Sequence, residues 1–292
     1  MTNHLKGLLM TIFAVVILSP DSVLIRLVEE ASSEIDSWTV LFWRGSLYAV
    51  GVSLLVLIKY RSKTIAEFKN IGKGGLLIGL FSGISTGTFV FAIVYTSIAN
   101  ALVIISTGPI MIAIVAWFLL KEKSSLITWA SMVIVFIGIY IVMSGSFGGK
   151  SLVGDFFALI TAVMMGFTFT LTRKYKDVNM VPVNAIGGLI AALIAFLMAN
   201  QITVPAEVVG YIIAMGAILS ISFSLITIAP RYMPAAEVGM IMPLETVLGS
   251  LIAWYVINEV PSVNALVGGT IVIVTLFLHP RYSTRLAKNQ IN

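Results

Sequence analysis

The chain has 292 residues, of which 59% are hydrophobic and 11% charged, with a mean hydropathy of +1.03 and a formal net charge of +5. Soluble domains carry about a quarter charged residues, so a water-soluble enzyme or scaffold is excluded and the chain reads as an all-α integral membrane protein. Cysteine is absent, which removes disulfides, thiol nucleophiles and thiolate metal sites; His4 and His279 stand at opposite ends of the chain and form no ligand pair, so neither a metal nor another cofactor is expected.

A helix needs roughly 20 apolar residues to cross the hydrocarbon core of a bilayer. Runs of about that length predict ten transmembrane helices, at about 5–27, 38–58, 74–95, 99–120, 125–144, 153–173, 182–200, 207–229, 235–257 and 262–279. The first has the basic start and apolar centre of a signal peptide, but its run continues to Val28 without a small-residue cleavage pattern, so an uncleaved span is expected. It contains Pro20 and Asp21. The second span contains Arg44, with Phe42, Trp43 and Tyr48 nearby. The third carries Gly75, Gly79, Gly83 and Gly87 at intervals of four, one ridge without side chains where a neighbouring backbone can approach closely. Pro109 lies inside the fourth span, and Pro243 and Glu245 inside the ninth. Each interior proline removes a backbone donor and kinks its helix, and the freed carbonyls are candidates to line a cavity.

The basic residues are distributed by side. If the N-terminus is cytoplasmic, 15 of the 18 lie in cytoplasmic segments, against Arg26 and Lys150 outside and Arg44 within a span. The positive-inside rule therefore predicts cytoplasmic N- and C-termini in the cell (inner) membrane. The net charge is a topology signal, and no nucleic-acid partner is expected.

The halves resemble each other. AWFLLKE, Ala116 to Glu122, and AWYVINE, Ala253 to Glu259, match at an offset of 137, which also carries Tyr95 onto Tyr232 and Gly79, Gly83 and Gly87 onto Gly216, Ser220 and Ser224. Gly7 and Arg26 correspond to Gly154 and Arg173 at an offset of 147. Five spans per copy is an odd number, so two inverted five-helix repeats are predicted, residues 1–146 and 147–292. Inverted repeats recur in secondary transporters, with the substrate site near the midplane.

Ten spans, two halves and a terminal AW-x-x-x-x-E segment in each resemble the drug/metabolite transporter superfamily, specifically its EamA-like exporters. LETVLGSLIAWYVINE resembles that family's Leu-Glu-Pro-Val-Leu-Gly-Pro pattern followed by an apolar run and Glu, with Thr246 and Ser250 in place of the two prolines; TGPIMIAIVAWFLLKE keeps Pro109 and ends on Glu122. The resemblance implies a transporter, not an enzyme, among relatives that export amino acids, drugs or other small metabolites; the inverted repeat points to alternating access, and mostly aliphatic spans with scattered aromatics suit an aromatic or amphipathic solute, with a monomer or weak homodimer expected and protons as a candidate coupling partner. A channel-like pore or uncoupled facilitator is the alternative. No HExxH, GxSxG or phosphate loop is present.

Helical rise places the buried charges. Arg44 falls about 9 Å and Asp21 about 6 Å below the outer boundary, whereas Glu245 falls near the midplane, about 15 Å deep. Asp21 and Arg44 share a level, so an ion pair between the first two spans is one expectation; Arg44 binding a substrate carboxylate, beside Trp43 and Tyr48, is the other. Glu245 is too deep to reach water easily and is expected to bind or couple substrate, with hydrogen bonding between helices as the structural alternative. Pro20, Pro109 and Pro243 are expected to kink helices that line the cavity. Glu237 is expected near the inner surface.

Overall fold

The computed structural model describes residues 3–31, 35–121, 126–145, 151–175, 177–232, 238 and 241–289. Among the described residues the chain forms helices and no strands. The N-terminal part comprises α1 (Asn3–Leu18), α2 (Asp21–Ala31), α3 (Ser37–Tyr60), the short α4 (Thr64–Asn70), α5 (Gly72–Tyr95), α6 (Ile98–Ile105), α7 (Gly108–Leu120) and α8 (Leu126–Ser144). The remainder comprises α9 (Ser151–Lys174), α10 (Val181–Met198), α11 (Ala206–Ile228), α12 (Leu244–Ile257) and α13 (Val263–Asn289). Seven helical stretches of the described residues are long and apolar enough to cross a bilayer, and three further apolar stretches, Trp129–Ser144, Leu244–Ile257 and Val263–Leu278, are shorter. The three shorter stretches fall on the expected fifth, ninth and tenth spans; parts of the fifth and ninth, with Glu122 and Glu237, lie outside the described residues.

Proline sets the interruptions. Pro20 has no N–H to give back to the preceding turn, so α1 ends at Leu18 and α2 starts afresh at Asp21, while Ser19 turns its hydroxyl onto the Val15 carbonyl at 2.7 Å. Pro109 sits in the first turn of α7, where a missing N–H costs nothing; α6 and α7 are separated by the Ser106–Thr107 turn. Pro243 occupies the cap before α12. All three prolines therefore stand at breaks between helices, not at bends within them.

The far ends of α7 and α12 terminate alike. Lys121 and Asn258, separated by the same 137 residues as the AW segments, both take positive φ (54° each), and their N–H groups close onto Ala116 and Ala253. Asparagine tolerates that left-handed conformation better than most residues.

Small residues allow the helices to close on one another. A Cβ at Gly45 of α3 would stand 2.7 Å from the Gly188 carbonyl of α10, so the two backbones touch there. Gly138 of α8 and Gly268 of α13 make the same kind of approach, 2.5 Å from an added Cβ at Gly268 to the Gly138 carbonyl. The predicted glycine ridge is used unevenly: Gly79 and Gly83 receive Ile186 to Ile190 of α10, Gly75 receives Ile71, and Gly87 meets only Leu41 at ordinary contact distance. The interior is filled by Val, Ile, Leu and Ala from α2, α3, α5, α6 and α11, whereas Ile58, Phe118, Tyr140 and Leu197 point outward, as side chains facing lipid must.

Candidate functional site

Two half-helices each begin with an acid. Asp21 lies in the first turn of α2 and Glu245 in the first turn of α12, each directly after a proline break. Helix N-termini carry unsatisfied N–H groups and the positive end of the macrodipole, which favours a carboxylate. Arg44, from the middle of α3, closes on Asp21 with Nη2 to Oδ2 at 2.6 Å and Nε to Oδ1 at 3.4 Å, a two-pronged pair whose side chains are 4% and 1% exposed. The guanidinium also lies over the Phe89 ring, 5.1 Å from its centroid. The expected ion pair therefore forms.

That pair does not exhaust Arg44. Its Nη1 is buried and has no hydrogen-bond partner among the described residues, and the Ser22 hydroxyl beside Asp21 in sequence is in the same position. A buried donor left open costs free energy, so Nη1 is a place where an acceptor would be held strongly. Glu245 is half-buried and lies within the field of both Asp21 and Arg44. Its helix is fixed on the same neighbours: Thr246 donates to the Leu102 carbonyl at 3.1 Å, and Gly249, one turn after Glu245, faces the Ser19 carbonyl and the Ser22 hydroxyl. Gly249 thus stands at the level of Ser19 and Ser22, and Glu245, four residues earlier on α12, lies about 6 Å from that level along the helix axis, within the field of the pair.

The aromatic neighbours divide. Tyr48, one turn along α3 from Arg44, is 2% exposed, feels the Arg44 charge and tilts against Phe223 at 5.9 Å. Trp43 points elsewhere: its indole N–H donates to the Ile202 carbonyl at 2.7 Å, beside the α10–α11 connection. Adjacent residues on a helix are turned by about 100°, so adjacency to Arg44 in sequence does not bring Trp43 to it. Phe89 and Ser22 were not singled out in the sequence, since neither residue type is unusual in an apolar span. Among the described residues no cluster of three His, Cys, Asp or Glu could hold a metal.

A second polar cluster joins the middle of α2 to the residues just beyond α12. Arg26 of α2 donates to the carbonyls of Val94 (3.2 Å) and Thr96 (2.7 Å) at the α5–α6 turn and pairs with Glu259 at 3.6 Å. Glu259 accepts the Ile98 N–H at the start of α6. Thr96 in turn donates to buried Asp155 of α9 at 2.7 Å. Burial raises the Glu259 carboxyl above the usual carboxylate range, against the opposing pull of Arg26 and the Ile98 amide. A cleft of about 390 Å³ opens here, lined by Arg26, Glu30, Tyr95, Ser97, Ser151 and Glu259. In the sequence Arg26 reads as an outer-side basic residue and the repeat counterpart of Arg173, and Glu259 as the last letter of a repeated segment.

Comparison with known proteins identifies the lineage. The EamA-like transporter family profile matches residues 5–144 and again residues 152–279. The chain belongs to the EamA-like transporter family. It is 25% identical over 275 residues to an uncharacterized transporter of Clostridium kluyveri, covering 84% of each chain. It is 22% identical over 257 residues to the pseudopaline exporter of Pseudomonas aeruginosa, covering 87% of this chain and 89% of that one. A crystal structure aligned over 96% of this chain and 98% of its own, at a TM-score of 0.67 and 13% identity, shows the same fold. Members of the EamA-like family are transporters, and this chain is a multi-pass membrane protein with the apolar helices that role requires.

Proposed function

We propose that the protein is a secondary transporter that exports small metabolites across the cell (inner) membrane by alternating access. In this reading residues 1–146 and 147–292 are two inverted five-helix repeats rocking about the Asp21–Arg44–Glu245 cluster, and both termini are cytoplasmic. The observation that carries it is the cluster itself: a buried arginine with an unfilled donor, next to a half-buried carboxylate, at two helix breaks. Broken helices whose N-termini meet at one place are the way transporters build a polar site inside a membrane.

The cluster's chemistry favours a small solute with both kinds of polar group. Arg44 Nη1 would donate to a carboxylate or carbonyl, and Glu245 would accept an ammonium; apolar side chains around them suit an amphipathic or aromatic remainder. Amino acids and related aminocarboxylates fit that description. Export as the direction is supported by the relative named for pseudopaline export. Protons remain the candidate coupling partner, through Glu245.

The test is a transport screen with purified protein in liposomes, offering amino acids, aromatic cations and other small metabolites with and without a proton gradient. Saturable flux with counterflow is expected for at least one amphipathic solute. Linear, non-saturating flux accompanied by single-channel currents would instead identify a pore.

A further inference from the structure

α2 and α12 have the same plan. Each begins at a proline break with an acid, Asp21 or Glu245, and carries a second charged residue further along, Arg26 in the middle of α2 or Glu259 just beyond α12. Asp21 and Arg26 are about 7.5 Å apart along the α2 axis, and Leu244 to Ile257 spans about 20 Å. A helix of this length moves as a rod, so a tilt forced at one end is delivered at the other.

At the far end those rods are tied to a third body. The α5–α6 turn receives Arg26 on two carbonyls and offers the Ile98 N–H to Glu259, so Arg26, Glu259 and the turn form a closed ring of contacts. The turn itself is seated on α9 by Thr96–Asp155 and by Gly154, where an added Cβ would lie 2.4 Å from the Thr96 nitrogen. Side-chain exposures of 16% for Arg26 and 23% for Glu259 place the pair where water can replace it. Asp21 and Arg44 are almost fully buried, whereas Arg26 and Glu259 each keep part of their surface in water, and a partly exposed pair of this kind contributes little enough to open and close.

We propose that Arg26 and Glu259 are gate residues: their ion pair, with the α5–α6 turn, latches the far end of the transport path shut, and α2 and α12 transmit movement at the central cluster to that latch. This inference rests on the carrier reading above for what the gate is for, but the latch is tested without any substrate. Opening requires the pair and the Ile98 bond to be exchanged for water, leaving α2 and α12 free to tilt about the breaks at Pro20 and Pro243.

The natural absence of cysteine makes the test direct. Nitroxide labels at Val153→Cys and Val260→Cys, both on exposed side chains, report the distance between the α9 end that seats the turn and the connection after α12. In purified protein in lipid nanodiscs, the parent pair should give one dominant short distance by pulsed electron resonance. Adding Glu259→Gln, which keeps an amide oxygen for the Ile98 N–H, or Arg26→Met should raise the weight of a longer population about two- to fivefold, the range for losing a partly exposed pair. Salt tests the latch in the labelled parent without further substitution: raising ionic strength from about 0.01 M to about 1 M shortens screening from about 30 Å to about 3 Å and should raise the same population. Distance distributions that superimpose across both variants and both salt conditions would overturn the latch. They would leave the central carrier site untouched, because that site is tested by flux.

Discussion

Two arginine–carboxylate pairs lie on α2, and they differ in nearly everything except chemistry. Asp21–Arg44 is closed at 2.6 Å with both side chains almost fully buried, whereas Arg26–Glu259 stands at 3.6 Å with both partly open to solvent. The deep pair has no water to fall back on, so losing one partner leaves an uncompensated charge; the shallow pair can trade its partner for solvent. Depth converts the same pairing from a structural fastening into a reversible contact.

The comparison is broken most severely at the deep pair. Asp21→Asn or Arg44→Gln should each destabilise the protein by about 3–5 kcal/mol, read as thermal unfolding in detergent. The double substitution Asp21→Asn/Arg44→Gln should recover much of that loss, since no lone charge remains. Single variants as stable as the parent would remove the pair's structural role.

Backbone contact around the deep pair gives the next effect. Gly188→Ala places a methyl where the α3 backbone already stands, with an added Cβ 2.8 Å from the Gly45 carbonyl, and should cost about 1–3 kcal/mol through the shift it forces. Gly210→Ala, where an added Cβ meets nothing within 4 Å, is the control and should unfold with the parent. Equal behaviour of the two variants would show that the α3–α10 contact is not limiting.

The shallow pair sharpens the contrast through pH. Glu259 is raised by burial, with Arg26 and the Ile98 amide pulling it down and Glu30 pushing it up. An acid held higher in the folded chain than in the unfolded one binds its proton more tightly when folded. Its contribution to stability is therefore present at low pH and is lost as pH rises through the raised value. Glu259→Gln deletes that contribution, so the unfolding temperature of the parent relative to the variant should fall slightly between about pH 4 and about pH 7. A difference that stays constant or grows would show that Glu259 is not held above the usual carboxylate range in the folded chain.

How far the sequence spoke can be seen residue by residue. Asp21 and Arg44 were legible as partners because each lies in a first or second span whose end is easy to place, and equal depth is a real constraint in hydrocarbon. Pro20, Pro109 and Pro243 were legible as interruptions because proline cannot supply the missing donor, but they read as kinks within spans, whereas the chain ends one helix and starts another at each. Trp43 illustrates the complementary limit: sequence adjacency ignores the turn between neighbours that sends its indole to Ile202. The Arg26–Glu259 contact joins residues 233 apart in the chain, and no periodicity points from one to the other.

Glu245 bears most directly on the claim that the central cluster is the transport site. Purified Glu245→Gln protein in liposomes should fold and insert like the parent, because the amide has the shape of the acid, with an unfolding temperature close to the parent's. Its saturable flux of the solute found by the screen should fall tenfold or more, the equivalent of about 1.4 kcal/mol lost from recognition or coupling. Parent-like flux across about pH 5 to about pH 8 from a normally folded variant would contradict the assignment and leave Glu245 as a structural residue between α2 and α12.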